Sequence, residues 1–217
     1  ATHTKLYVVC SDILQCKMAA RHSVQDMMRL MASKIRDTAA SLSDSETEAF
    51  LSAIQNAERI YVMGAGRSGL VAKAFAMRLM HLGFISFVVG ETITPAMQQK
   101  DLLVIFSGSG RTKTIADIAD TAKEIGGRIS LITSNRDSKI SRMADVIVII
   151  ENQRDQVRDE TAEFEIRQMT GEHRSFAPLG TLFETAAMVF ADACISRLME
   201  VSMIDEKELK NRHANIE

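Results

Sequence analysis

The chain has 217 residues and a mass of 24.0 kDa, with 46% hydrophobic and 25% charged residues and a formal net charge of −2. That is enough for one domain with a sizeable core, and the absence of basic excess argues against a nucleic-acid partner, as do 5% aromatic residues and no Trp to stack on bases. Cys10, Cys16 and Cys194 are odd in number and form no CxxC pair, so neither a disulfide framework nor a zinc site is suggested and a cytoplasmic setting is expected; no apolar run reaches the roughly 18 to 20 residues that span a membrane, and no stretch reads as a signal peptide.

At the start, "TKLYVV" (4–9) reads as a short strand-like run. From about Ser11 to Ile35 apolar residues recur at helical spacing, with Val24, Met27, Met28 and Met31 on one face. In "SDSETEAF", Ser45 followed three residues later by Glu48 predicts a capping box that opens a second helix running to about Asn56. Residues 1–57 are therefore expected to form a helical segment packed on the main body or on a partner subunit.

From Arg59 the texture changes to short apolar runs: "IYVM" (60–63), "ISFVV" (85–89), "LLVIF" (102–106), "ISLIT" (129–133) and "VIVII" (146–150). Runs apolar throughout and rich in Val and Ile suit strands covered on both faces. Amphipathic stretches lie between them; residues 113–125 place Ile115, Ile118, Ala119, Ala122 and Ile125 on one face, and Gly126 follows as a stop. The alternation predicts an α/β fold, a five-stranded parallel sheet flanked by helices on both faces. After Ile150 a charged stretch without a clear period, residues 151–176, predicts a long surface loop. A strong helical period resumes over 180–199 through Leu182, Phe183, Ala186, Val189, Phe190 and Ala193, and "DEKELKNR" predicts a short final helix before "HANIE".

Two loops stand at the carboxyl ends of predicted parallel strands, where open α/β sheets bind ligands: "GAGRSGL" (64–70) and "SGSGRTKT" (107–114). Each joins glycines, which allow close backbone approach, to hydroxyls and a helix start whose free N–H groups attract an anion. The first also matches G-x-G-x-x-G at Gly64, Gly66 and Gly69, with Glu91 near the place of a ribose-binding acid. A dinucleotide needs only one such loop, whereas here the second is richer, with Ser107, Ser109 and Thr112 spaced to share a pocket; a phosphate monoester fits better. No G-K-[ST] sequence indicates an NTP loop. Arg67 and Arg111 read equally as phosphate partners or as solvated charges.

Acid/base candidates are Glu91, Glu184, His81, His173 and His213. Glu184 lies in an otherwise apolar helix, either on its solvent face, which periodicity slightly favours, or in a pocket where burial would raise its pKa. His213 reads as a terminal surface residue and His81 as a packed helix-end histidine.

The motifs "GAGRSG", "FAMRLMHLGF", "VGETITP", "SGSGRT", "PLGTLFE" and "RHANIE" together resemble the sugar isomerase (SIS) domain family, and within it the 6-phospho-3-hexuloisomerases, over residues 58–150 and 176–217. The resemblance implies a flavodoxin-like SIS domain over 58–217 that interconverts 6-phospho-3-hexulose and fructose 6-phosphate through an enediolate, with no metal or redox cofactor. Its implied partners are a phosphorylated ketohexose and copies of itself, a tetramer or similar assembly, with no membrane. It places substrate phosphate on Ser107, Gly108, Ser109 and Thr112, assisted by Ser68, with Gly66, Arg67, Glu91 and Arg111 as further substrate contacts. The acid/base pair it implies is Glu184 and His213, the latter usually lent by a neighbouring subunit, which moves both away from their surface readings. Residues 151–176 are longer than the link of compact members and are expected to cover the site or reach a neighbour. Rival readings are an isomerase for a different phosphosugar, a sugar-phosphate-sensing module without turnover, and a small NAD-binding oxidoreductase resting on the first glycine loop alone.

Overall fold

The computed structural model describes residues 23–150, 181–203, 210 and 212. The expectations for 4–9, for 151–176, for the final helix, for His173 and for His213 fall outside them. In chain order the elements are α1 (Val24–Ser41), α2 (Asp44–Gln55), β1 (Ile60–Gly64), α3 (Arg67–His81), β2 (Ser86–Val88), β3 (Leu102–Phe106), α4 (Lys113–Ile125), β4 (Arg128–Thr133), β5 (Val146–Ile149) and α5 (Thr181–Ser202).

All five apolar runs become strands of one sheet with the order β2-β1-β3-β4-β5, every neighbouring pair parallel. Ile60 of β1 faces Ser86 on one side and Leu102 on the other, so the strand order reverses between β1 and β3. Side chains alternate along each strand and build two cores. Ile60, Val62, Leu102, Val104 and Phe106 pack with α2, α3 and α5, where Phe50, Phe75 and Phe190 meet. Tyr61, Met63, Leu103, Ile105, Ile129 and Leu131 pack with α4, and Met97 and Met143 fill the remaining space. The β2–β3 connection carries no helix, which leaves α4 as the one described helix on that face.

At the amino end of the sheet a set of polar groups pairs internally. Arg59, just before β1, donates from Nε and Nη2 to the two oxygens of Asp101 at 3.0 and 2.7 Å, and Asp101, only 1% exposed, also accepts the Gln98 N–H at 2.6 Å. Arg59 Nη2 and the Tyr61 hydroxyl both donate to the Ala96 carbonyl at 3.2 Å, which ties down the helix-free connection.

Four expectations need correction. The second helix is capped by Ser43, whose hydroxyl accepts the Glu46 N–H at 3.4 Å, and not by Ser45. Ser45 lies inside the first turn, and the Glu46 carboxylate is taken by Arg136 and by the Ile149 N–H of edge strand β5 at 3.2 Å instead of returning to the cap. The first helix is capped at Ser23 by a box with Asp26 and runs six residues past Ile35, to Ser41; Val24 and Met28 on its apolar face are 73% and 64% exposed in the subunit. In α4 the buried stripe is Ile115, Ala116, Ala119 and Ala122, small side chains that let the helix approach the sheet, while Ile118 and Ile125 turn toward solvent. In α5 Val189 and Ala193 are exposed, and Ala187, Ala191, Cys194, Ile195 and Leu198 carry the core.

Candidate active site at the sheet's switch point

The two glycine loops lie at the carboxyl ends of β1 and β3, adjacent strands flanking the point where the strand order reverses. Each opens a helix whose first turn lacks a side-chain cap: Gly66 at α3, with φ +55°, and Thr112 at α4. The orphan amides of those turns are free to meet an anion.

In the first loop, a Cβ on Gly64 would lie 2.6 Å from the Ser68 carbonyl carbon, and one on Gly69 would lie 2.8 Å from the Gly64 oxygen. These two glycines are therefore demanded by the packing of strand against helix, which accounts for the glycine spacing without a dinucleotide. Glu91, expected near this loop, is half-exposed and paired with Lys73 of α3. His81 is buried at the carboxyl end of α3, as its sequence context suggests, and its carbonyl accepts from Arg212 Nη1 at 3.2 Å.

The second loop continues the ladder before turning, the Ser107 N–H donating to the Ile132 carbonyl at 3.0 Å. Ser107 is buried and its hydroxyl accepts the Gly110 N–H at 3.2 Å; Ser109 is exposed and its hydroxyl accepts the Arg111 N–H at 3.3 Å. Both oxygens act as acceptors in these bonds, so both protons are left to donate. Thr112 is half-buried, and Arg111 points outward.

Glu184 joins the loops across a long stretch of chain. It sits in the first turn of α5 with a side chain only 12% exposed, against the solvent-face reading of its periodicity. Ser68 Oγ donates to its Oε1 at 3.3 Å, and Arg67 Nε lies 3.6 Å from its Oε2. Burial raises its pKa above the ordinary carboxylate value; its own backbone amide, Arg67 and Ser68 oppose this without cancelling it. The preceding residue, Phe183, is buried with its ring against Gly108, where a Cβ would come within 3.1 Å. Thus the carboxylate meets the first loop directly and the second through its neighbour. A cavity of about 50 Å³ between α1 and α5 shares Phe183 with this site but holds none of the loop hydroxyls.

Residues that the sequence reading missed lie at the carboxyl end of β4 and just after it. Thr133, Ser134 and Asn135 bond to the carbonyls of the serine loop, and Gly110, at φ +62°, leaves room that Ser138 occupies. Their signal was the run "TSN" at the same sheet end as the two loops.

The family model of the SIS domain matches residues 53–163. A protein of Aeropyrum pernix is 49% identical over 159 residues, 73% of this chain and 74% of its own. The 3-hexulose-6-phosphate isomerase of Bacillus subtilis is 38% identical over 184 residues, 85% of this chain and 94% of its own. A crystal structure from Methanococcus jannaschii, described as inferring a function of 3-hexulose-6-phosphate isomerase, superposes with a TM-score of 0.72 at 31% identity, covering 88% of this chain and 99% of that one.

Proposed function

The chain belongs to the SIS domain family, and on that premise we propose that it interconverts 3-hexulose 6-phosphate and fructose 6-phosphate. The observation that carries this reading is Glu184: a largely buried carboxylate of raised pKa, bonded to Ser68 from the loop after β1 and backed, through Phe183, onto the loop after β3. Relatives named 3-hexulose-6-phosphate isomerase in Bacillus subtilis and Mycobacterium gastri, 38% and 37% identical, support the choice of sugar.

In this reading the substrate phosphate lies on the Ser107–Gly108–Ser109 turn and the uncapped start of α4 at Thr112, with Ser68 assisting. Fixing that end of the chain holds C2 and C3 against the catalytic groups, so binding energy becomes orientation. The Glu184 carboxylate removes the proton from C2, the C3 carbonyl oxygen gains the charge as an enediolate forms, and the proton returns at C3 while the carbonyl forms at C2. A carboxylate of raised pKa is a stronger base than a solvated one, and a pKa nearer the working pH suits a group that must both take and return a proton. Arg67 Nε, 3.6 Å from the carboxylate, is placed to offset charge beside it.

His213 of a neighbouring subunit supplies the second group, opening the ring or moving protons between the enediol oxygens. Arg212, the preceding residue, binds the His81 carbonyl at the far end of α3 from Ser68, and that 15-residue helix is about 22 Å long. The placement favours a neighbour's site over the subunit's own. The exposed apolar residues of α1, Val24 and Met28, suit a subunit contact in a homo-oligomer.

A coupled assay of 3-hexulose 6-phosphate conversion to fructose 6-phosphate tests the proposal. Turnover by the wild type is expected; sugar-phosphate binding with no turnover of any phosphoketose would leave a sensor module.

A further inference from the structure

The serine turn is held from behind by the last residue of β4 and the segment that follows it. The Gly108 carbonyl accepts from Thr133 Oγ1 at 3.1 Å, from Ser134 Oγ at 2.8 Å and from the Ser134 N–H at 3.1 Å. Next to it, the Ser109 carbonyl accepts from Asn135 Nδ2 at 3.2 Å and the Gly110 carbonyl from the Ile140 N–H at 3.4 Å. Three consecutive carbonyls therefore face one way. No peptide among the described residues is cis, and in a planar trans peptide the C=O and the following N–H point in opposite directions. Anchoring the Gly108 oxygen on Thr133 and Ser134 thus turns the Ser109 N–H away from that segment, toward the ligand side of the turn.

The anchors are themselves fixed. Thr133 is fully buried and its Oγ1 accepts the Asn135 N–H at 3.1 Å. Ser141 Oγ donates to the Asn135 carbonyl at 2.9 Å, and the buried Ser138 and Ser141 hydroxyls lie 2.7 Å apart. Ser138 also closes the space beside Gly110, since a Cβ there would fall 2.1 Å from its oxygen.

We propose that Thr133, Ser134 and Asn135 are positioning residues for anion binding: through their bonds to the Gly108 and Ser109 carbonyls they hold the shape of the serine turn and aim the Ser109 N–H, and thereby set affinity for the phosphate group. The inference rests on reading residues 107–112 as the phosphate loop.

The test uses Thr133→Val combined with Asn135→Ala, with Thr133→Ser as the variant that keeps the hydroxyl. Binding of inorganic phosphate and of fructose 6-phosphate is measured by calorimetry, and kcat and KM in the isomerase assay. In the double variant the phosphate Kd and KM are expected to rise together by about tenfold, with kcat within about threefold of wild type and Thr133→Ser binding normally. Ser134→Ala, which removes one of three donors, is expected to weaken phosphate by about threefold and serves if the double variant does not fold. Phosphate bound by these variants as tightly as by wild type overturns the inference, as does a fall in kcat with phosphate affinity unchanged, or a Thr133→Ser loss equal to that of Thr133→Val. The phosphate measurement needs no turnover, so a wild type that binds phosphate but isomerises nothing sinks the assigned reaction and leaves this inference to be judged by the binding data.

Discussion

The two ends of the sheet follow opposite rules. At the amino end Arg59, Tyr61, Gln98, Ala96 and Asp101 close on one another, and Asp101 is almost fully buried with its charge matched. At the carboxyl end α3 and α4 start without side-chain caps, the Ser109 hydroxyl faces solvent, and Glu184 is enclosed with a single hydroxyl donor and a loosely placed Arg67. The same contrast runs through the helices: α1 and α2, which do not follow a glycine loop, are capped by Ser23 and Ser43. Around Arg59 and Asp101 the polar groups are matched, whereas around the two glycine loops helix starts and a carboxylate oxygen are left partly unmatched.

The largest test of this contrast is Glu184→Gln. Turnover is expected to fall by at least about a thousandfold with phosphate binding retained. Stability should move the other way. A carboxyl whose folded pKa is raised binds protons that the unfolded chain releases, so its contribution to stability falls as pH rises from the unfolded toward the folded pKa. Above that window the amide variant should therefore melt higher than wild type, and the acid limb of the wild-type rate profile should lie above the ordinary glutamate range. A melting midpoint that drops at neutral pH would break the contrast from the site end.

Asp101→Ala probes the opposite end. It strands Arg59 and the Gln98 amide, and the melting midpoint is expected to fall by about 10 °C with KM unchanged. A finer comparison sets two helix starts side by side. Ser43→Ala should cost about 1 kcal/mol of stability and leave phosphate affinity alone, whereas Thr112→Ala, which removes no capping bond, should leave the melt unchanged and raise the phosphate Kd. Smallest is Ser130→Ala. This β4 hydroxyl is fully buried without a hydrogen-bond partner, so the variant should be neutral or more stable by up to about 1 kcal/mol in denaturant unfolding.

The parts of the molecule legible in the sequence were those set by local repetition. Five apolar runs became five strands, and the helix α4, though not its full stripe, ended where Gly126 takes φ +87°. The cap of α2 was not legible, because "SDSETE" offers two S-x-x-E matches, and the carboxylate of Glu46, which would complete a box with the actual cap Ser43, is taken by Arg136 and Ile149 far along the chain. The burial of Glu184 was not legible from periodicity for a similar reason. Helical periodicity describes one face of α5, while the carboxylate is enclosed by the start of α3, 116 residues away. Thr133, Ser134 and Asn135 escaped notice because their partners are carbonyls, which no side-chain motif records.

Gly108 and Phe183 are in contact with no side chain between them, so the serine turn and the helix that carries the Glu184 carboxylate share a single spacer. Over evolutionary time such a spacer makes two positions behave as one. Relatives that place a methyl or more at the equivalent of 108 are expected to have given up volume at 183, and the pair should covary as a compensated size even though the residues are 75 positions apart in sequence.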